Sequence, residues 1–153
     1  MTSAAIRSRL ETQGFLGLDD ATLDELAPWL RWSPVFCTFF MILGVAMRSP
    51  AVLWGLAAVA FVGALLPFHP FDLLYNYGAR HLTGTRPLPH HGPQRRFACG
   101  LAAAWLVATG WAFYTGADTL GYVLGVSLSV VAGLVSITHI CIPSMIYGAV
   151  FRK

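Results

Sequence analysis

Residues 119–142 read TLGYVLGVSLSVVAGLVSITHICI, twenty-four positions without an Asp, Glu, Lys or Arg. At 1.5 Å per residue such a helix rises about 36 Å, more than the roughly 30 Å of a bilayer's hydrocarbon layer, so the stretch predicts a membrane span. Three apolar segments precede it, at 32–47, 50–68 and 97–114. The first is the shortest and spans only if Arg31 and Arg48 snorkel and Trp29 and Trp32 sit at the interface. The fold class expected is all-α: an integral membrane four-helix bundle of two antiparallel transmembrane hairpins with short amphipathic surface helices.

Composition agrees with that class. The 153 residues are 56% hydrophobic and 11% charged, with a mean hydropathy of +0.63. Soluble domains carry roughly 25% charged residues, so a soluble fold is disfavoured. Charge placement then sets an orientation. Arg7, Arg9, Arg31, Arg80, Arg86, Arg95, Arg96, Arg152 and Lys153 fall on one side of the four segments, and Arg48 alone falls on the other. The positive-inside rule makes the crowded side cytoplasmic, with both termini and the 69–96 connection there. The pI near 9.0 is accounted for by these flanks, so anionic lipid is the expected counter-charge and nucleic acid is not. The stretch through Asp20 has no apolar core, so no cleaved secretory signal is expected.

Residues 1–31 form a cytoplasmic amphipathic lead-in. Asp19 or Asp20 caps a short helix with Leu23, Leu26 and Leu30 on one side and Asp24 and Glu25 on the other, suited to lie on the membrane surface or to dock another subunit. Residues 32–153 form the transmembrane domain. The Arg48-Ser49-Pro50 and Gly116-Ala117-Asp118 links are short enough to demand antiparallel neighbours, and they leave no room for a folded domain on their side. In the long connection, Pro70 and Asp72 predict a short helix over 71–81, and the proline-rich run from Thr85 to Pro93 predicts an extended chain.

Two constellations carry the candidate sites. Gly121, Gly125, Ser129 and Gly133 recur every fourth residue on the last span, and Gly100, Ala104, Ala108 and Ala112 do so on the third. Small residues allow the close approach that drives helix association in lipid, so these faces are expected to pack on one another, with a contact to another protein as the alternative. Separately, alternation of direction brings Cys37, Cys99 and Cys141 to the cytoplasmic ends of their spans, together with His69 and His139. Such residues suit plain packing, a metal or haem ligand set, or thiol chemistry. No Cys-x-x-Cys occurs. His139 and Cys141 are two residues apart and serve one ion only if the helix breaks, which Pro143 permits.

Catalytic patterns are otherwise missing. The spans hold no interior Asp or Glu for a proton relay, and Ser127, Ser129 and Ser136 lack an embedded acid, so catalysis by this chain alone is not expected. Trp54, Trp105 and Trp111, with Phe39, Phe40, Phe61 and Phe113, read chiefly as interfacial anchors, with contact to a pigment, quinone or lipid as the alternative.

Pro28-Trp29-Leu30-Arg31-Trp32-Ser33-Pro34, His69-Pro70-Phe71-Asp72-Leu73-Leu74-Tyr75-Asn76-Tyr77-Gly78, Arg95-Arg96-Phe97-Ala98-Cys99 and His139-Ile140-Cys141-Ile142-Pro143-Ser144 together carry a family resemblance. The chain resembles an uncharacterised bacterial family of small four-helix membrane proteins, classed as a domain of unknown function. That resemblance implies the helix count and a bacterial inner-membrane location, and it brings no activity or catalytic residues. The function expected is a non-catalytic accessory subunit of a larger inner-membrane complex, such as an energy-transducing one, in contact with lipid and other integral subunits. A metal, haem or thiol-redox protein is the alternative.

Overall fold

The computed structural model describes residues 4–151, so Arg152 and Lys153 lie outside the described residues. The regular elements of the described residues are all helical: α1 (Ala4–Thr12), α2 (Asp20–Leu26), a 3-10 turn (Trp29–Arg31), α3 (Trp32–Ala46), α4 (Pro50–Leu65), α5 (Pro70–Leu74), a π-helical turn (Tyr75–Ala79), α6 (Arg80–Thr83), α7 (Pro93–Tyr114), α8 (Asp118–Thr138) and α9 (Ile142–Phe151). Three helices are long and apolar enough to cross a membrane: Trp29–Ala46, Pro93–Tyr114 and Asp118–Thr138. A fourth crossing arises if Pro50–Leu65 and Pro70–Thr83, bent by 86°, count as one broken span. By length and composition the described residues thus hold three to four candidate membrane spans. Each of α3, α4, α7 and α8 packs on two of the others, α4 against α7 and α3 against α8 most extensively.

Several boundaries differ from the sequence reading, each for a local reason. The 3-10 turn at Trp29–Arg31 runs straight into α3, so the segment expected to be shortest gains a turn. α4 stops at Leu65 instead of 68, where the sequence turns to Leu66-Pro67-Phe68. Its last carbonyls are taken by Arg96, which donates to Ala64 O at 2.9 Å and Leu65 O at 2.7 Å. α7 begins at Pro93, so Arg95 and Arg96 lie inside its first turn. α8 ends at Thr138 instead of 142, because His139 adopts the left-handed conformation (φ 58°) of a helix C-cap. Pro143 then sits in the first turn of a separate helix, α9, where its missing N–H costs nothing.

The packing of the small residues is selective. A Cβ on Gly125 would lie 2.4 Å from Val45 Cγ2 on α3 and 3.4 Å from Thr109 Cγ2 on α7, and one on Gly121 would meet the Phe113 ring. A Cβ on Gly100 would face Ala64 on α4 at 3.6 Å, and Gly133 has nothing within 4 Å of that position. Ser129 bonds its own helix at Gly125 O (2.7 Å) and Ala112 is buried, while Ala104 and Ala108 line shallow outer grooves. The small face of α7 thus serves α4 as well as α8. α7 approaches α8 closely beside Gly121, and Trp105 Nε1 donates to Leu124 O at 3.1 Å.

The lead-in does not lie free. Leu23, Leu26 and Leu30 are buried with Leu10, Phe15, Tyr75 and Leu88 in a second core built on the ends of the long helices. Asp19 caps α2 by accepting from Thr22 N at 3.3 Å. Tyr75 is fully buried between Trp29 and Trp32, at centroid distances of 5.2 and 5.6 Å. The expected helix over 71–81 exists but widens to a π-turn at Tyr75–Ala79 and ends at Gly84, whose φ of 68° suits glycine. Residues 85–92 form no regular helix or strand. Arg9, Arg31, Arg95 and Arg96 therefore gather at the end carrying the second core, while Arg48 pairs with Asp118 across the two short links at the other.

Candidate functional site

Two helical faces define the site. On α3, Ser33 and Cys37 are four residues apart and share a face; on α7, Arg95 and Cys99 do the same. Between them stands His69, held at the N-cap of α5 with Pro70 at the first helical position. Its backbone N–H donates to Asp72 Oδ2 at 3.2 Å, and its Nδ1 accepts from Phe71 N at 3.3 Å. That bond fixes the tautomer. A neutral ring accepting at Nδ1 carries its proton on Nε2, and Nε2 lies 3.6 Å from Cys37 Sγ, so the imidazole donates to the sulfur. Burial, with Arg95 adding to it, pushes the His69 pKa down to about 4, so the ring is neutral at pH 7.

Cys99 and the His69 ring both border Gly63 of α4. A Cβ on Gly63 would lie 2.8 Å from His69 Cδ2 and 3.5 Å from Cys99 Sγ, so only glycine fits there. The polar end is closed by a chain of hydrogen bonds. Arg95 Nη2 donates to Ser33 Oγ at 3.2 Å, and the Ser33 hydroxyl donates to Asp72 Oδ1. Arg95 is only 6% exposed, and its guanidinium lies 5.2 Å over the Phe15 ring. Among the described residues no carboxylate comes within ion-pair distance of it. Its charge is balanced one hydroxyl away, through Ser33, by Asp72.

These groups line a cavity of about 150 Å³. Gln13, Ser33, His69 and Arg95 form its polar end, and Cys37, Cys99 and Cys141 all face it. Pro34, Ala60, Ala98, Leu101, Ala102, Trp105, Leu128, Val131, Ala132, Val135 and Pro143 form the apolar remainder. All three cysteines are free thiols.

His139 stands beside this cavity and does not line it. Its Nε2 accepts from Arg31 Nε at 2.8 Å, and its carbonyl accepts from Gln13 Nε2 at 2.7 Å, while Arg9 caps the end of α8 at Thr138 O (2.9 Å). Burial, then Arg31, Arg95 and Arg9, lowers its pKa to about 4. Cys141 Sγ lies 3.1 Å from the Ser144 hydroxyl. The break that separates His139 from Cys141 thus commits each to a different partner. Among the described residues no group of three or more His, Cys, Asp and Glu converges to hold a metal ion. A 150 Å³ cavity also suits a benzene-sized ring and falls well short of a porphyrin. Of the loop histidines, His91 is buried with neither ring nitrogen partnered, and burial holds its pKa near 4.

Sequence reading found the cysteines and His69 but missed Ser33, Asp72, Arg95 and Gln13. A signal existed for two of them: Ser33 precedes Cys37, and Arg95 precedes Cys99, by one helical turn. Adjacent helical residues point about 100° apart, so Arg95 and Arg96 cannot both face the headgroups.

Fold and cavity define an all-helical protein with three to four candidate membrane spans and a thiol-lined chamber at one end of its long helices. The chain belongs to the family described as a domain of unknown function (DUF4395), whose model matches residues 27–152. No curated protein and no solved structure matches it. The match begins at Ala27, so Gln13 and Phe15 come from outside the family segment.

Proposed function

We propose that this protein is a membrane thiol-redox protein in which Cys37 and Cys99, flanking His69, cycle between two thiols and a disulfide. The observation that carries the reading is the gathering of three free thiols, a hydrogen-bond-donating imidazole and a buried guanidinium on one cavity. His69 Nε2, aimed at Cys37 Sγ, and the Arg95 guanidinium on the same cavity place a hydrogen-bond donor and a cation beside the sulfurs that would exchange. Cys141 is held by Ser144 and stays outside the pair. Treating the reduced protein in detergent with diamide is expected to consume two of its three thiols and to yield a Cys37–Cys99 cross-link in a non-reducing digest. Three thiols persisting under diamide would overturn the reading.

The setting we propose is a bacterial inner membrane, with α3–α4 and α7–α8 as the two antiparallel hairpins of a four-helix bundle. The end bearing the second core would face the cytoplasm, a reading supported by the arginines gathered there. A second reading, an accessory subunit of a larger inner-membrane complex, is supported by the small residues that α7 and α8 leave open: Ala104 and Ala108 line outer grooves, and nothing abuts Gly133. Partner subunits co-migrating on a native gel from mild detergent are expected under that reading, and a lone monodisperse chain at native expression would count against it.

A further inference from the structure

We infer that the oxidant of this thiol pair is a membrane quinone that enters the cavity sideways from the lipid between α7 and α8. The inference rests on the thiol-redox reading above and adds the identity of the electron acceptor. Three independent observations converge on it.

The first is access. α8 is pressed against Phe113 of α7 at Gly121 and against Val45 of α3 at Gly125, while a Cβ at Gly133 would meet nothing within 4 Å. The cavity lies beyond Gly125 along α8, lined there by Leu128, Val131, Ala132 and Val135, and Leu101 of α7, which also lines it, is 39% exposed on the outer surface. Its opening therefore faces acyl chains, which favours a ligand already dissolved in the bilayer.

The second is the division of the lining. Arg95, Ser33 and His69 occupy one end, and alanine, leucine, valine and Trp105 the rest. Buried Arg95 spends one hydrogen bond on Ser33 and has further N–H groups for an acceptor oxygen. Because Asp72 already balances it through Ser33, a neutral carbonyl suits this end better than a full carboxylate. The third is size. About 150 Å³ accommodates one six-membered ring and excludes a bulky headgroup.

The step balances without further reactants. Two S–H bonds break at Cys37 and Cys99 and one S–S bond forms. Two electrons and two protons pass to the two ring oxygens, and the quinone leaves as quinol.

The test uses the reduced full chain in phosphatidylcholine nanodiscs under argon, with duroquinone, whose fully substituted ring leaves no position for a thiol adduct. One quinol per chain is expected, with a Cys37–Cys99 disulfide, and neither product from Cys37→Ser or Cys99→Ser. Arg95→Leu should raise the half-saturating duroquinone concentration by about tenfold, the loss of one charge-assisted hydrogen bond. Leu101→Trp, which narrows the opening without touching the polar end, should lower the ratio of the duroquinone rate to the diamide rate. If diamide forms the disulfide and duroquinone does not, the quinone inference falls and the thiol reading stands. If neither oxidant forms it, both fall. An unchanged rate ratio in Leu101→Trp would overturn lateral access.

Discussion

Gly63 has room for a hydrogen and little more, since a methyl there would press on His69 Cδ2 from 2.8 Å and touch Cys99 Sγ at 3.5 Å. Gly63→Ala should therefore cost about 1–3 kcal/mol, the usual penalty for overpacking, and push the ring away from Cys37. Thermal unfolding in detergent reads the first effect, and the chemical shift of His69 Nε2 reads the second. His139 gives a pH prediction. Its folded pKa of about 4 lies below the ordinary 6.5, so between those values the unfolded chain binds the extra proton. The stability contributed by neutral His139 is complete above about pH 6.5 and is lost as pH falls toward 4. His69 and His91, both also near 4, act in the same direction. The melting temperature should fall on acidification, and His139→Asn, which tolerates the left-handed cap, should flatten that dependence. At this scale the sequence exposes residue type but conceals direction. Cys37, Cys99 and His69 were recognisable because alternation of helix direction brings them to the same end. Arg95 was read as a headgroup contact, because a cation at a span's end is ordinarily solvated and only the tertiary fold sets Ser33 and Phe15 around it.

For the helices, the register of α8 is the most exposed claim. Gly125→Ala drives a methyl to 2.4 Å from Val45 Cγ2, whereas Gly133→Ala meets nothing within 4 Å. The first should lower the melting temperature clearly, and the second should leave it unchanged or raise it, within about 1 kcal/mol, since alanine favours helix over glycine. Equal effects from the two would mean that the register is wrong. Both glycines belong to one four-residue repeat, so the repeat alone could not separate them. Periodicity identifies a face, but which helix covers it depends on how far neighbours splay. Hydropathy located the apolar segments well and their ends less well, because ends are decided by single interactions: the left-handed turn at His139 and the reach of Arg96 to Leu65 O. The leucines of α2 showed their amphipathic pattern plainly. What the pattern could not show is that they bury against Tyr75 and Leu88 rather than against lipid.

Taken whole, the molecule divides its charge between two ends, with Arg48 and Asp118 at one and the second core with its arginines at the other. Reporters fused at residues 31, 90 and 151 should share a compartment, and one at 117 should report the opposite; any other partition would overturn the orientation. Leu26→Asp, which places a carboxylate in the second core, should expose Tyr75 and loosen the cap while leaving the long helices formed, readable as faster hydrogen exchange confined to that layer. Arg96 has one more implication, for biogenesis. The final carbonyls of α4 find their donors on a helix synthesised some thirty residues later, and an apolar environment penalises such groups until they are satisfied. The leading helical pair should thus remain loosely seated, and prone to slip back or be degraded, in a chain halted before α7 emerges, and should lock in place once that helix joins it.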